Sequence, residues 1–133
     1  MFIDYISSLI NKTGARAYNG MEYLITHSGK WVSWNTLLSN NRWQRAKIVA
    51  DLKPLYKSMF VAAKIQPMNR FKIEFRYWSK MDADNVCMKY FIDTLRHEGY
   101  VINDDKRYGC GVSTIPDATL KHNTYQIKII AMD

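Results

Sequence analysis

Phe71-Lys72-Ile73-Glu74-Phe75-Arg76-Tyr77-Trp78 runs through Ser79 into Lys80-Met81-Asp82-Ala83-Asp84-Asn85, and the reading of this passage decides the fold. Phe71, Ile73, Phe75 and Tyr77 alternate with mostly charged residues, the two-residue period of a half-buried strand. The strand delivers the chain directly into two aspartates separated by one residue. In extended geometry both carboxylates would point to one side, where they can converge on a cation. The plain alternative is helix capping, with Asp84 or Asn85 as N-cap of the next element, a role worth roughly 1 kcal/mol.

Downstream, Met88, Phe91, Ile92 and Leu95 recur at steps of three and four, which predicts a helix after Asn85 that ends at Gly99 in the C′ position. Asn85, Lys89, Asp93 and Arg96 then form its polar face. Lys89 has two readings, an i,i+4 pair with Asp93 or an amine reaching past the helix start toward a bound phosphate. Tyr100-Val101-Ile102 reads as a short strand leading to Asn103-Asp104-Asp105. Beside the strand that precedes Asp82, it would bring a third carboxylate to the same end of the sheet, which is costly without a cation; a polar turn is the plainer use of these residues. Further strands are predicted over 108–115 and 125–130, with a loop over 116–123.

Upstream, residues 1–20 fit either a short helix or a strand followed by a small, basic, glycine-punctuated loop over 12–20. Met21, Tyr23 and Ile25 alternate as a strand that closes in a turn at Ser28-Gly29. From Ser33, a candidate N-cap, helical spacing continues to about residue 64, with a break expected at Ser39-Asn40-Asn41 and a kink or new first turn at Pro54. The result is an α+β class: one domain over 1–133, a small mixed β-sheet packed by two main helices.

With 47% hydrophobic and 14% aromatic residues, the 133-residue chain can bury a core without staples. Cys87 and Cys110 do not form a disulfide or zinc pattern and read as reduced thiols. No apolar run approaches the ~20 residues that span a bilayer, and the amino terminus has no basic leader, so a cytoplasmic protein away from membranes is expected. His27, His97 and His122 have no ligand spacing.

The net charge of +7 is unevenly distributed. Residues 82–105 hold six of the twelve acids and two of the nineteen Lys and Arg, leaving −4 there and +11 elsewhere. A basic surface attracts polyanions, while clustered carboxylates repel them unless a divalent cation intervenes. That pairing suits a metal-dependent nuclease.

Asp82-x-Asp84-Asn85, a helix carrying a lysine and Ile92-Asp93-Thr94-Leu95, then Gly99-Tyr100-Val101-Ile102-Asn103-Asp104-Asp105, resembles the RusA family of Holliday-junction resolvases. The likeness is specific over residues 80–107. It implies a RusA-like homodimer, often carried by phages and prophages, that binds four-way DNA junctions in recombination and repair. Such an enzyme nicks two strands symmetrically by hydrolysis dependent on Mg²⁺, with Mn²⁺ as a substitute. Carried across, Asp82, Asp84 and Asp104 are the metal-binding and catalytic acids, with Asp105 as the alternate third ligand, and Lys89 is the catalytic lysine. The family's lysine usually stands three residues after the Asn, where this chain has Met88, so Lys89 requires a helix bulge or a shifted helix start. A catalytically degenerate branched-DNA-binding protein is therefore the competing expectation. DNA contacts are expected from Lys12, Arg16, Lys30, Arg42, Arg45, Lys80, Lys106 and Arg107. Tyr18, Trp31, Trp34 and Trp43 are candidates for stacking on unpaired bases, although burial is the commoner use of tryptophan.

Overall fold

The computed structural model describes residues 21–101 and 110–132, so Lys12, Arg16, Tyr18, Asp104, Asp105, Lys106 and Arg107 lie outside the described residues. In chain order the elements are β1 (Glu22–Ser28), α1 (Trp34–Ser39), α2 (Arg42–Ala63), β2 (Arg70–Trp78), a 3₁₀ turn (Ala83–Asn85), α3 (Lys89–His97), β3 (Cys110–Pro116) and β4 (Thr124–Met132). The four strands form one mixed sheet in the order β1-β4-β2-β3. β4 is antiparallel to both β1 and β2, whereas β3 is parallel to β2 and reached through α3. The α+β class and the small mixed sheet agree with expectation; among the described residues three helices rather than two accompany it.

The alternation read in residues 71–78 is realised, with Phe71, Ile73, Phe75 and Tyr77 all at 2% exposure or less. On β1 and β4 the matching positions Tyr23, Ile25, Tyr125, Ile127, Ile129 and Ala131 are buried too, giving the sheet one continuous apolar face. Tyr56, Met59, Phe60 and Ala63 of α2 and Phe91 and Leu95 of α3 join the same core. Phe91 stands nearly perpendicular to Phe60 and Tyr56, with centroids 5.0 and 5.3 Å away, an arrangement favoured by ring quadrupoles. Each fully buried ring contributes roughly 1.5–3 kcal/mol by its removal from water.

Local signals explain most of the boundaries. Ser33 caps α1 by accepting the Thr36 N–H at 3.0 Å. The expected break at residues 39–41 occurs, and Asn41 opens α2 with a capping box in which its side chain and that of Gln44 reciprocally bond the backbone at 2.9 Å. Gly99 takes φ +82 at the end of α3. The Gly99 N–H bonds Arg96 O and the Tyr100 N–H bonds Leu95 O, a Schellman closure.

Two expectations are corrected. Pro54 does not mark a new first turn: α2, 22 residues in all, runs through it from Arg42 to Ala63. An interior proline costs about 3 kcal/mol, which burial of Tyr56, Met59 and Phe60 just beyond it offsets. The helix predicted from Asn85 begins instead at Lys89, because Val86 forms a bridge to Ser33 and the Cys87 N–H bonds Val32 O at 3.2 Å. These contacts hold residues 86–87 extended, so Cys87 lies ahead of the helix rather than in it. Cys87 is a free, buried thiol whose pKa is raised chiefly by burial.

Candidate functional site

β1, β2 and β3 all end where β4 begins, so the loops after Ser28, Trp78 and Pro116 gather at one end of the sheet. The Gly29 N–H donates to Asn123 O at 2.9 Å and the Asn123 N–H to Trp78 O at 2.7 Å, tying these loops together. Lys30 and Lys80 are exposed on them, as are Lys121 and His122, which the candidate DNA contacts did not include. Those two sit in a loop without periodicity, where only residue type could have marked them.

The acidic turn leaves this end of the sheet and is fastened at both sides. Before it, the Tyr77 hydroxyl donates to Met81 O at 2.8 Å, and the Asn85 N–H bonds Asp82 O at 3.0 Å across the turn. After it, the Asn85 side-chain oxygen accepts the Asn35 N–H at 2.9 Å, and the bridge of Val86 to Ser33 follows. Asp82 is extended (φ −73, ψ 152), whereas Asp84 belongs to the 3₁₀ turn, so the two are not consecutive same-side positions of one strand. They nonetheless act on a common point: burial raises the pKa of the Tyr77 phenol most, and the negative charges of Asp82 and then Asp84 raise it further.

Both aspartates are exposed, and neither carboxylate makes a hydrogen bond or ion pair among the described residues. The capping alternative is not realised, since Asp82 makes no side-chain cap bond and α3 starts at Met88-Lys89 without a side-chain cap. Asn85 does serve as a cap, but for the first turn of α1. Two exposed carboxylates on a fastened turn are donors of the hard-oxygen type that Mg²⁺ takes, usually through one or two carboxylates with water and phosphate completing the shell. No group of three or more potential ligands occurs among the described residues.

Asp104 lies outside the described residues. Val101 bridges Met68 and Cys110 pairs with Phe71, both at the start of β2, while Asp82 follows its end. A short parallel pairing beside β2 is thus present, at the opposite end from the acidic turn.

Lys89 takes the first of its two readings. Its Nζ lies 3.0 Å from Asp93 Oδ2, both side chains about half exposed, and this hydrogen bond is the main reason its pKa is raised. Asn85 does not share its helical face, since the helix starts after it. Among the expected DNA contacts, Arg42 and Arg45 open α2 rather than lining the acidic end. Trp31 is buried, with its indole N–H donating to Cys87 O at 3.0 Å, and Trp34 is half-buried. Trp43 is 78% exposed.

No helix among the described residues is long and apolar enough to cross a membrane. No known family model matches the chain, and no curated protein matches it at a meaningful level of similarity.

Proposed function

We propose that the protein is a divalent-metal-dependent endodeoxyribonuclease that resolves four-way DNA junctions by paired phosphodiester hydrolysis, acting as a homodimer. The observation that carries the reading is the pair Asp82 and Asp84, whose carboxylates have no partner among the described residues, on a fastened turn at the lysine-bearing end of the sheet. The order of its motifs, which resembles that of the RusA resolvases, supports the junction as substrate.

In this reading Asp82 and Asp84 hold the cation, with Asp104 or Asp105 as the third acid. Bound Mg²⁺ supplies Lewis-acid activation of water and of the scissile phosphate. Tyr77 and Asn85 keep the turn in place, so little ordering is needed when DNA arrives. Lys30 and Lys80 draw in the phosphate backbone. Lys89 offsets charge accumulating on the phosphate, for which it must exchange Asp93 for the substrate. A homodimer presents two such turns related by a two-fold axis, matching the symmetry of the paired cuts.

A second reading, a branched-DNA-binding protein without catalysis, is favoured by Lys89 being engaged by Asp93. Cleavage of a synthetic four-way junction and of a linear duplex, with Mg²⁺ or EDTA, separates the two. Paired Mg²⁺-dependent nicks that disappear in Asp82→Asn are expected for the nuclease. Tight junction binding without cutting in Mg²⁺ or Mn²⁺ selects the binding protein, and neither binding nor cutting rejects both.

A further inference from the structure

The elbow between α1 and α2 presents large apolar side chains beside cations. Trp43 is 78% exposed and Leu38 68%, in a protein that buries most of its large apolar side chains. The Arg42 guanidinium carbon lies 5.8 Å from the Trp43 ring centroid. Arg45 and Lys47 follow within the next turn, and no acidic residue occurs in the sequence between Glu22 and Asp51. Among the described residues neither Arg45 nor Lys47 has an ion-pair partner. The Asn41–Gln44 capping box fixes the first turn of α2 and therefore the direction in which Trp43 is presented.

From these observations we infer that the elbow is a single-strand contact, in which Trp43 stacks on an unpaired base while Arg42, Arg45 and Lys47 hold the neighbouring phosphates. The inference rests on the DNA-directed reading above and deepens it by naming what selects branched over linear DNA. An exposed indole beside cations that have no ion-pair partner among the described residues matches the platform-and-funnel pattern of single-strand binding, where each stacked base adds affinity without sequence readout. A second copy of the chain is a poor occupant, because two-fold pairing would bring six cations together with no acid from this segment to offset them. In a continuous duplex every base face is already stacked, so Trp43 gains nothing there.

The elbow also lies within reach of the acidic turn. Asn85 is bonded to Asn35 in the first turn of α1. The six residues of α1 rise about 9 Å, and the two linking residues add at most about 7 Å. A strand advancing about 3.4 Å per nucleotide covers that span in roughly five nucleotides. One strand leaving a junction centre can thus meet both places.

The test is binding of a labelled oligothymidylate of about ten nucleotides and of a blunt duplex, at fixed salt, by the full chain and by Trp43→Ala and Trp43→Phe. Trp43→Ala is expected to lose about tenfold or more in single-strand affinity, with duplex affinity changed by less than about twofold and the melting temperature unaltered. Trp43→Phe, which keeps an aromatic face, is expected to recover most of the loss. Equal losses on both DNAs, no loss on either, or a change of oligomeric state in Trp43→Ala overturns the inference, as does a native chain that binds no single strand. Junction cleavage by the native chain and by Asp82→Asn judges the nuclease reading independently.

Discussion

The side-chain oxygen of Asn85 accepts the backbone N–H of Asn35 at 2.9 Å, joining the acidic turn to the first turn of α1 across fifty residues of chain. One hydrogen bond thereby serves two ends: it satisfies a helix-start N–H that has no intrahelical partner, and it holds the turn carrying Asp82 and Asp84. Replacement Asn85→Ala is expected to cost about 1 kcal/mol of stability. Cleavage should fall further than that loss explains at temperatures where the variant remains folded. Urea unfolding combined with junction cleavage checks this, and full cleavage in a destabilised variant would show that the bond is structural only.

Tyr77 fastens the other side of the turn. The ring is 1% exposed and its hydroxyl bonds Met81 O, so Tyr77→Phe removes the bond while leaving the packing intact. A loss of about 1 kcal/mol or less is expected. The Mg²⁺ concentration giving half-maximal cleavage should rise several-fold, because the turn carrying the two carboxylates is no longer fastened on this side. An unchanged Mg²⁺ dependence would remove Tyr77 from the site.

Lys89 and Asp93 separate structure from chemistry. As a half-exposed i,i+4 pair they contribute roughly 0.3–0.5 kcal/mol, so Lys89→Ala and Asp93→Asn should shift stability equally little. Their effects on cleavage should diverge: Lys89→Ala is expected to lower it about a hundredfold or more, whereas Asp93→Asn, which frees the amine, should leave it unchanged or raise it. Similar cleavage by both variants would falsify a catalytic role for Lys89.

Tyr56 is buried in the core, and its hydroxyl has no hydrogen-bond partner among the described residues. Burial first, and then the neighbouring Cys87, hold its pKa well above the ordinary value of 10.0. Below that ordinary value both folded and unfolded states keep the phenol neutral. As pH rises past it the unfolded chain ionises while the folded one does not, so stability falls with alkalinity. Tyr56→Phe removes an orphaned polar group and is expected to be neutral or stabilising by about 1 kcal/mol. It should also lessen the loss between pH 8 and pH 11, measured by urea midpoint. A clearly destabilised Tyr56→Phe would mean that the hydroxyl has a partner.

Phe91 closes the core between α2, α3 and Trp31, with no accessible surface. Phe91→Ala should destabilise by about 3–5 kcal/mol, and Phe91→Leu by clearly less. Chemical denaturation reads both, and a cost below about 1 kcal/mol for the alanine would contradict the packing described.

The sequence by itself determined what local patterns encode. Alternation marked β2, Ser33 and Asn41 set helix starts, Gly99 set a helix end through its positive φ, and Asp82-x-Asp84-Asn85 drew attention by sign and spacing. Each of these signals depends on neighbours a few residues away, where geometry is fixed by the backbone's own periods. The tertiary structure alone decided the rest. Val32 and Ser33 pulled residues 86–87 out of the expected helix and moved its start to Lys89, and Asn85 became a cap for a helix fifty residues earlier. Core packing carried α2 through Pro54 and placed Trp31 inside while leaving Trp43 in solvent. Those outcomes turn on contacts between segments distant in the chain, whose energies outweigh local preference and leave no periodic trace in sequence.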